Sequence, residues 1–369
     1  MDISETKELY VTILLTTVIL AFFCQSRFSK KKVRGFYAIP FVLSFVTSWF
    51  FYAFNDVGND YEEYCFVFDM VDFSTYNSLW IEPGYALLNA FIKLFTPNSV
   101  IGIAIIKTII SVLVFIVIYD FRKHIDISVS VLAYMSLMYL DSFCMIRIHL
   151  AAAIILFALD IYINRDWTIL PLVMYFVACT IHYSAVTLLP VIAAYVACNK
   201  SVFNTKLIVV FAVGLIVLNN FAIPLMESIL ASISFLMKYN EKYGEITMQG
   251  SGLMQYVYHL PVVLLLAVLW NKIPHKEQKI YQIALVLLPF SLFFGILGYS
   301  IEVIGRTFVY YVYIWMICVA KYAYDSRNTI NEIIIIPLCI FVLIFRFIDY
   351  LNNALISAGI NQFHLIVAF

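Results

Sequence analysis

The chain reads as an all-α polytopic integral membrane protein with about 12 transmembrane helices. Three observations predict this. The 369 residues are 63% hydrophobic and only 12% charged, more apolar than a soluble domain of this length needs. Apolar runs long enough to cross a bilayer recur to the end of the chain. Lys and Arg concentrate in alternate loops, as the positive-inside bias requires. A single transmembrane domain, residues 1–369, accounts for the whole pattern.

The first apolar run, Leu9–Cys24, follows the acidic residues Asp2, Glu5 and Glu8. It lacks a basic n-region and a small-residue cleavage site, so it reads as a span, not a removed signal peptide. The loop SRFSKKKVRG holds Arg27, Lys30, Lys31, Lys32 and Arg34. This densest basic cluster predicts a cytoplasmic loop and an external N-terminus. The second span, Phe36–Phe54, returns outward and opens a lip at residues 55–98, between helices 2 and 3. Within the lip, Ala86–Phe95 is apolar but too short to cross, which predicts an interfacial or re-entrant helix.

Val100–Tyr119 goes in to Arg122 and Lys123, and Ser128–Leu140 comes out to the turn DSFCMIRIH. Leu150–Ile163 goes back in to Arg165. Trp167–Cys198 is long for one span and short for two, with Thr180, His182, Tyr183 and Ser184 in its middle. Two short helices with His182 at an outer turn keep Lys200, Lys206, Lys272, Lys276 and Lys279 cytoplasmic. Leu207–Leu230 then leads to a second outer loop at 234–255. Tyr256–Trp270, Ile280–Tyr299, Thr307–Tyr322 and Ile333–Phe347 follow as spans. The tail from Asn352 is apolar enough to lie in the outer interface.

The lip is compositionally unusual. Asn55–Tyr85 carries seven acids, eight aromatics and no Lys or Arg. An interfacial aromatic belt with a solvated acidic loop gives this composition. So does a sugar site, because sugars offer apolar C–H faces beside hydroxyls. Tyr61, Tyr64 and Tyr85 are its candidate binding residues.

Eight of the 23 Lys and Arg fall outside the predicted inner loops: Lys7, Lys93, Lys107, Arg147, Lys238, Lys242, Arg306 and Arg346. Lys7, Lys238 and Lys242 belong to exposed outer segments. The other five sit in, or at the outer ends of, apolar helices, where a cation must pair or snorkel. Pairing with Asp141, Glu302, Asp349 and the lip acids explains them. As a group they also describe a cationic cavity open to the outer leaflet, and Arg is suited to phosphate through its planar fork. His182, and His149 beside Arg147, fall at the same level, either as hydrogen-bonded helix-end residues or as acid–base groups.

No P-loop, GxSxG, HExxH or DxD-type nucleotide-sugar motif is present. The seven Cys are scattered without a CxxC pair, so no metal or disulfide framework is expected, although Cys65 and Cys144 could share the outer side. The zero net charge gives no indication of a nucleic-acid partner.

Five motifs in order, GNDYEEY at 58–64, EPGYALL at 82–88, IRIHLA at 146–151, HYSA at 182–185 and GRTFVYY at 305–311, resemble the EpsG family. These are bacterial polysaccharide polymerases akin to the Wzy O-antigen polymerases. The resemblance runs from about residue 36 to 350. It departs at Ile148 and His149, where the family usually has Arg-Gln around Arg147. It departs again at Phe54 and Asn55, where the family often carries an Arg.

The resemblance implies a GT-C-like helical fold and a glycosyltransferase in the bacterial inner membrane, its active site facing outward. The substrates would be undecaprenyl-diphosphate-linked oligosaccharide repeat units, with no cofactor and no metal, and a chain-length regulator membrane protein is a candidate partner. The growing glycan would move from its lipid diphosphate to the terminal hydroxyl of an incoming repeat. Arg147 and Arg306 are the candidates to take the leaving group's charge. His182, Asp60 and Glu82 are the candidate bases, and the sequence does not choose among them. Lys107, His149, Tyr183 and Arg346 join the three tyrosines as candidate binding residues. A lipid-linked oligosaccharide flippase or transporter, or an O-antigen ligase, are the competing readings. The unexplained polar residues fall in the outer half only, which favours an enzyme over a transporter.

Overall fold

The computed structural model describes residues 1–25, 36–75, 81–199, 203–215, 217–218, 253–275, 278–298, 305–326 and 330–366. The basic loop from Arg27 to Arg34, the loop KYNEKYGEITMQGSG at 238–252, and Trp80, Lys200 and Glu302 lie outside the described residues. The named elements are all helical: α1 (Ile3–Phe23), α2 (Ala38–Ala53), α3 (Tyr61–Met70), α4 (Pro83–Lys93), α5 (Ser99–Phe121), α6 (Ile127–Tyr134) and α7 (Ile146–Arg165). They continue as α8 (Ile169–Ile181), α9 (Leu189–Cys198), α10 (Thr205–Leu215), α11 (Leu253–Val268), α12 (Lys279–Leu297), α13 (Phe308–Asp325) and α14 (Ile330–Asn353).

α1, α5, α7, α12 and α14 contain the stretches long and apolar enough to cross a membrane. Against the expected crossings, about 12 in number, these five reach full length among the described residues. Shorter apolar helices carry the rest of the pattern. The predicted short helix of the lip is α4, with 11 residues. Trp167–Cys198 carries two α-helices, and between them lie His182, whose backbone is extended, and a 3₁₀ helix at Tyr183–Leu188.

The described chain forms two compact units, Met1–Ala185 with Trp315–Phe369, and Val186–Ile314. In the first, α1 packs on α2 and α6, α2 on α5, α5 on α7, and α7 on α8. Local chemistry sets the helix starts. Asp2 and Glu5 form a reciprocal capping box on α1, Asn98 caps α5 and Asp126 caps α6, each satisfying N–H groups that a helix start leaves open. Polar ties cross between helices. Ser44 donates to the Thr17 carbonyl at 2.9 Å, and Trp49 donates to Thr108 Oγ1 at 2.8 Å. In the second unit α12 packs on α9 and α11, and His259 Nε2 and Ser291 Oγ, both buried, stand 2.8 Å apart.

Two features of the first unit position the site. α6 passes through a π-turn at Met135–Tyr139 and a 3₁₀ turn at Asp141–Phe143 before α7 begins. The tail beyond α14 forms a strap. It bridges Asn55 through Leu365, accepts from the N–H groups of Gly58 and Asn59 at 3.0 and 3.1 Å, and takes the Cys144 thiol on the Ala358 carbonyl at 2.8 Å. Gly58 has φ +116°, and a Cβ there would fall 2.5 Å from the Phe143 carbonyl oxygen. Only glycine meets both demands. Backbone pairing pins the tail to the base of the lip.

Candidate active site

Glu82, Arg147 and His182, on three different segments of the first unit, meet. Pro83 opens α4, where its missing N–H is no loss. Glu82 precedes it in an extended conformation and makes no side-chain capping bond to its own helix. Its carboxylate turns to the neighbouring helices. Arg147 Nη1 donates to Oε2 at 2.8 Å. His182 Nδ1 lies 3.1 Å from Oε1, a close polar contact just short of an aligned hydrogen bond. Glu82 is 4% exposed at its side chain, against 22% for Arg147 and 23% for His182. The set is therefore anchored at its carboxylate and open at its two basic groups.

Glu82 lies in the lip, outside the candidate spans. Burial works to raise its pKa. The His182 imidazole and the Arg147 guanidinium outweigh burial and hold it down to about 2. It is an anchored anion at neutral pH and a poor proton acceptor.

Gly84 makes the meeting possible. A Cβ at this position would stand 2.8 Å from both the backbone carbon and the Cβ of Thr180, and closer still to its hydroxyl. α4 and the end of α8 approach each other across that missing side chain. We expect Gly84→Ala to push α4 away, separate Glu82 from His182 and lower turnover by up to about 10². Steady-state kinetics would check it; near-wild-type turnover would mean α8 yields without cost to the site.

Tyr64 and Tyr85 complete the surroundings of Arg147. Its guanidinium carbon is 5.7 Å from the centre of one ring and 5.8 Å from the other. The rings meet edge to face with centroids 6.2 Å apart, a favourable geometry for aromatic pairs and for a cation beside them. Tyr64 donates to the Cys144 carbonyl at 3.2 Å, tying α3 to the turn before α7. Burial pushes its phenol up to about 12, so it donates at neutral pH. α7 has no side-chain cap at its start, so the positive end of a 20-residue helix lies beside Arg147.

The other candidates fall around this set. Asp60 is half-buried just before α3 and makes no capping bond through its side chain. Tyr61 is buried at the first position of α3. Lys107 is fully enclosed, its ammonium donating to the backbone and side-chain oxygens of Asn55 at 3.1 Å each. His149, two residues from Arg147 and so on the far side of α7, is buried with Nε2 3.5 Å from Asp141 Oδ2. Tyr350 reaches the other oxygen of Asp141 at 3.5 Å, one turn beyond the half-buried Arg346. Tyr183 is exposed next to His182. Arg306 belongs to the second unit, half-buried in the turn before α13. Lys93, one of the cations that topology left over, donates to the carbonyls of Asp69 and Val71 at 2.6 and 3.1 Å, closing the end of α3. Among the described residues no group of three or more His, Cys, Asp or Glu is placed to hold a metal.

A family model described as the EpsG family matches residues 38–364. The chain belongs to the EpsG family. This is a Wzy-type polymerase-like family, and its apolar helices make this EpsG-family chain a multi-pass membrane protein. Searches of curated proteins and of solved structures returned no match. The matched span contains every site residue discussed above.

The roles of Gly84 and Asn55 were not read from the sequence. A Pro-Gly pair opening an apolar helix is a visible signal for Gly84, since Ala would make the better helix former. Nothing local marks Asn55 as the partner of a lysine 52 residues away.

Proposed function

We propose that this EpsG-family chain is a polysaccharide polymerase. It transfers a growing glycan from undecaprenyl diphosphate to the terminal hydroxyl of an incoming lipid-linked repeat unit, at the outer face of the inner membrane and without a metal. The observation that carries this reading is the Arg147–Glu82–His182 set beside two tyrosine rings. As the glycosidic bond breaks, negative charge grows on the lipid diphosphate. Arg147 has donors beyond the one given to Glu82, and a helix start beside it, to meet that charge. His182 presents Nδ1 to Glu82, which leaves Nε2 to take the proton of the acceptor hydroxyl. A carboxylate orienting a histidine is the logic of a catalytic triad. Of the three candidate bases, Glu82 is thereby an orienting group, and Asp60 is the reserve.

The test is polymerisation of purified lipid-linked repeats by the reconstituted protein. Chains longer than one repeat support a polymerase. Transfer of finished polymer to a different acceptor means a ligase, and movement of repeats across the bilayer without bond formation means a flippase. Glu82 also predicts a pH behaviour. Its pKa is depressed from 4.5 to about 2, so its ion pairing is complete above pH 4.5 and lost only as pH falls towards 2. The kcat/KM profile should therefore carry no limb from Glu82 between about pH 5 and 8. A Glu82→Gln variant that keeps full kcat/KM across that window would count against the orienting role.

A further inference from the structure

We infer that Lys107 is a positioning residue that holds Arg147 in place by clamping the start of the lip to the turn before α7. The inference rests on Arg147 acting on the substrate, as proposed above. Lys107 lies in α5, a candidate span, and none of its surface is exposed. Among the described residues no carboxylate stands within ion-pair distance of it. Its ammonium instead donates to two oxygens of Asn55 and faces three rings, Tyr61 at 5.0 Å, Tyr52 at 5.7 Å and Phe143 at 5.8 Å.

The partners explain the arrangement. Asn55 follows the C-cap of α2, and its amide donates to the Phe51 and Tyr52 carbonyls at 2.7 Å each, so its side-chain oxygen is left to accept from the lysine and from the Val57 N–H at 3.3 Å. A cation there sits at the negative end of α2. The three rings turn their negative faces to the same charge. An uncharged side chain of similar length would fill the space but would draw none of these groups inward.

The segments gathered are the ones that surround Arg147. Tyr61 stands three residues before Tyr64, and Phe143 stands four before Arg147. Tyr52 donates to the Ser142 carbonyl at 3.2 Å, and Tyr64 donates to the Cys144 carbonyl. Both walls of the Arg147 site therefore start from contacts with one ammonium. The strap joins at the same point through the Asn55–Leu365 bridge.

Lys107→Met tests this in the full-length protein. It keeps the apolar stem and removes the charge. We expect kcat on lipid-linked repeats to fall about tenfold to a hundredfold, with KM little changed. Amide hydrogen exchange should quicken in residues 57–71 and 141–147 while α1 and α14 keep their protection. In an Arg147→Ala background the same change should take away nothing further, since Lys107 acts through that arginine. Phe143→Leu, which removes one ring and leaves the lysine, should move kcat and exchange in the same direction by less, and it decides the matter if Lys107→Met does not fold. A kcat within twofold of wild type overturns the inference. So does unchanged exchange in both segments, or a full multiplicative loss on top of Arg147→Ala. If the wild type makes no polymer, the proposed function fails, and the exchange comparison still decides the clamp.

Discussion

Arg147→Ala is expected to slow polymerisation about 10²–10³-fold, to a residual rate, in a protein that still folds and inserts. Loss of one preorganised charge stabiliser costs about 10²–10³ in rate. Two effects must be separated here, because Arg147 also neutralises Glu82 at 2.8 Å. Removing it leaves a carboxylate that is 4% exposed facing His182 alone. Breaking a buried pair from one side costs about 3 kcal/mol, so the single variant loses stability as well as chemistry. The double variant Arg147→Ala with Glu82→Gln removes the unpaired charge. It should recover thermal stability and remain as slow. Arg147→Lys should keep the charge but lose the planar fork between the two rings, and rescue poorly. Thermal unfolding and product length, measured on all three variants, check this. A double variant that regains polymer would mean Arg147 serves only to neutralise Glu82.

Much of the architecture was legible because membrane helices announce themselves by length and apolarity. Ser99–Phe121 was expected at Val100–Tyr119 and is found within two residues at either end. The break at His182 was legible too, since the polar residues Thr180 to Ser184 interrupt an apolar run that parity required to be divided. What the sequence could not order was the set of polar residues. Arg147 and His182 were visible as a charge and an imidazole at the ends of apolar segments, and Glu82 only as one of the seven acids of the lip. Their meeting depends on the close approach of α4 to α8 at Gly84, a contact 96 residues apart along the chain. Lys93 and Lys107 looked alike in sequence, both cations without a loop. One closes the end of α3 on two carbonyls, and the other is sealed behind Asn55 and three rings. That difference is set by which backbone ends lie within reach of each ammonium, and spacing along the chain does not encode it.

His182→Ala should lower the rate by the 10²–10⁴ typical of losing a general base, with donor binding little changed. The sharper variant is His182→Gln, which can donate a hydrogen bond to Glu82 but cannot take a proton. If His182 only ends α8, glutamine should work, because the backbone there is already extended and its N–H already donates to Ala178 at 2.9 Å. If His182 is the base, glutamine should be as inactive as alanine. Glu82→Gln gives a second reading of the same mechanism. An orienting carboxylate holds the ring and stabilises its charge once protonated, so the amide should cost turnover without weakening acceptor binding. Asp60→Asn should be mild, since that side chain is half-buried and outside the ion-paired set. Single-turnover rates on preformed lipid-linked repeats separate these outcomes from changes in product release. An active His182→Gln beside an inactive Asp60→Asn would move the base from the end of α8 to the start of α3, and Glu82 would then serve only to hold Arg147.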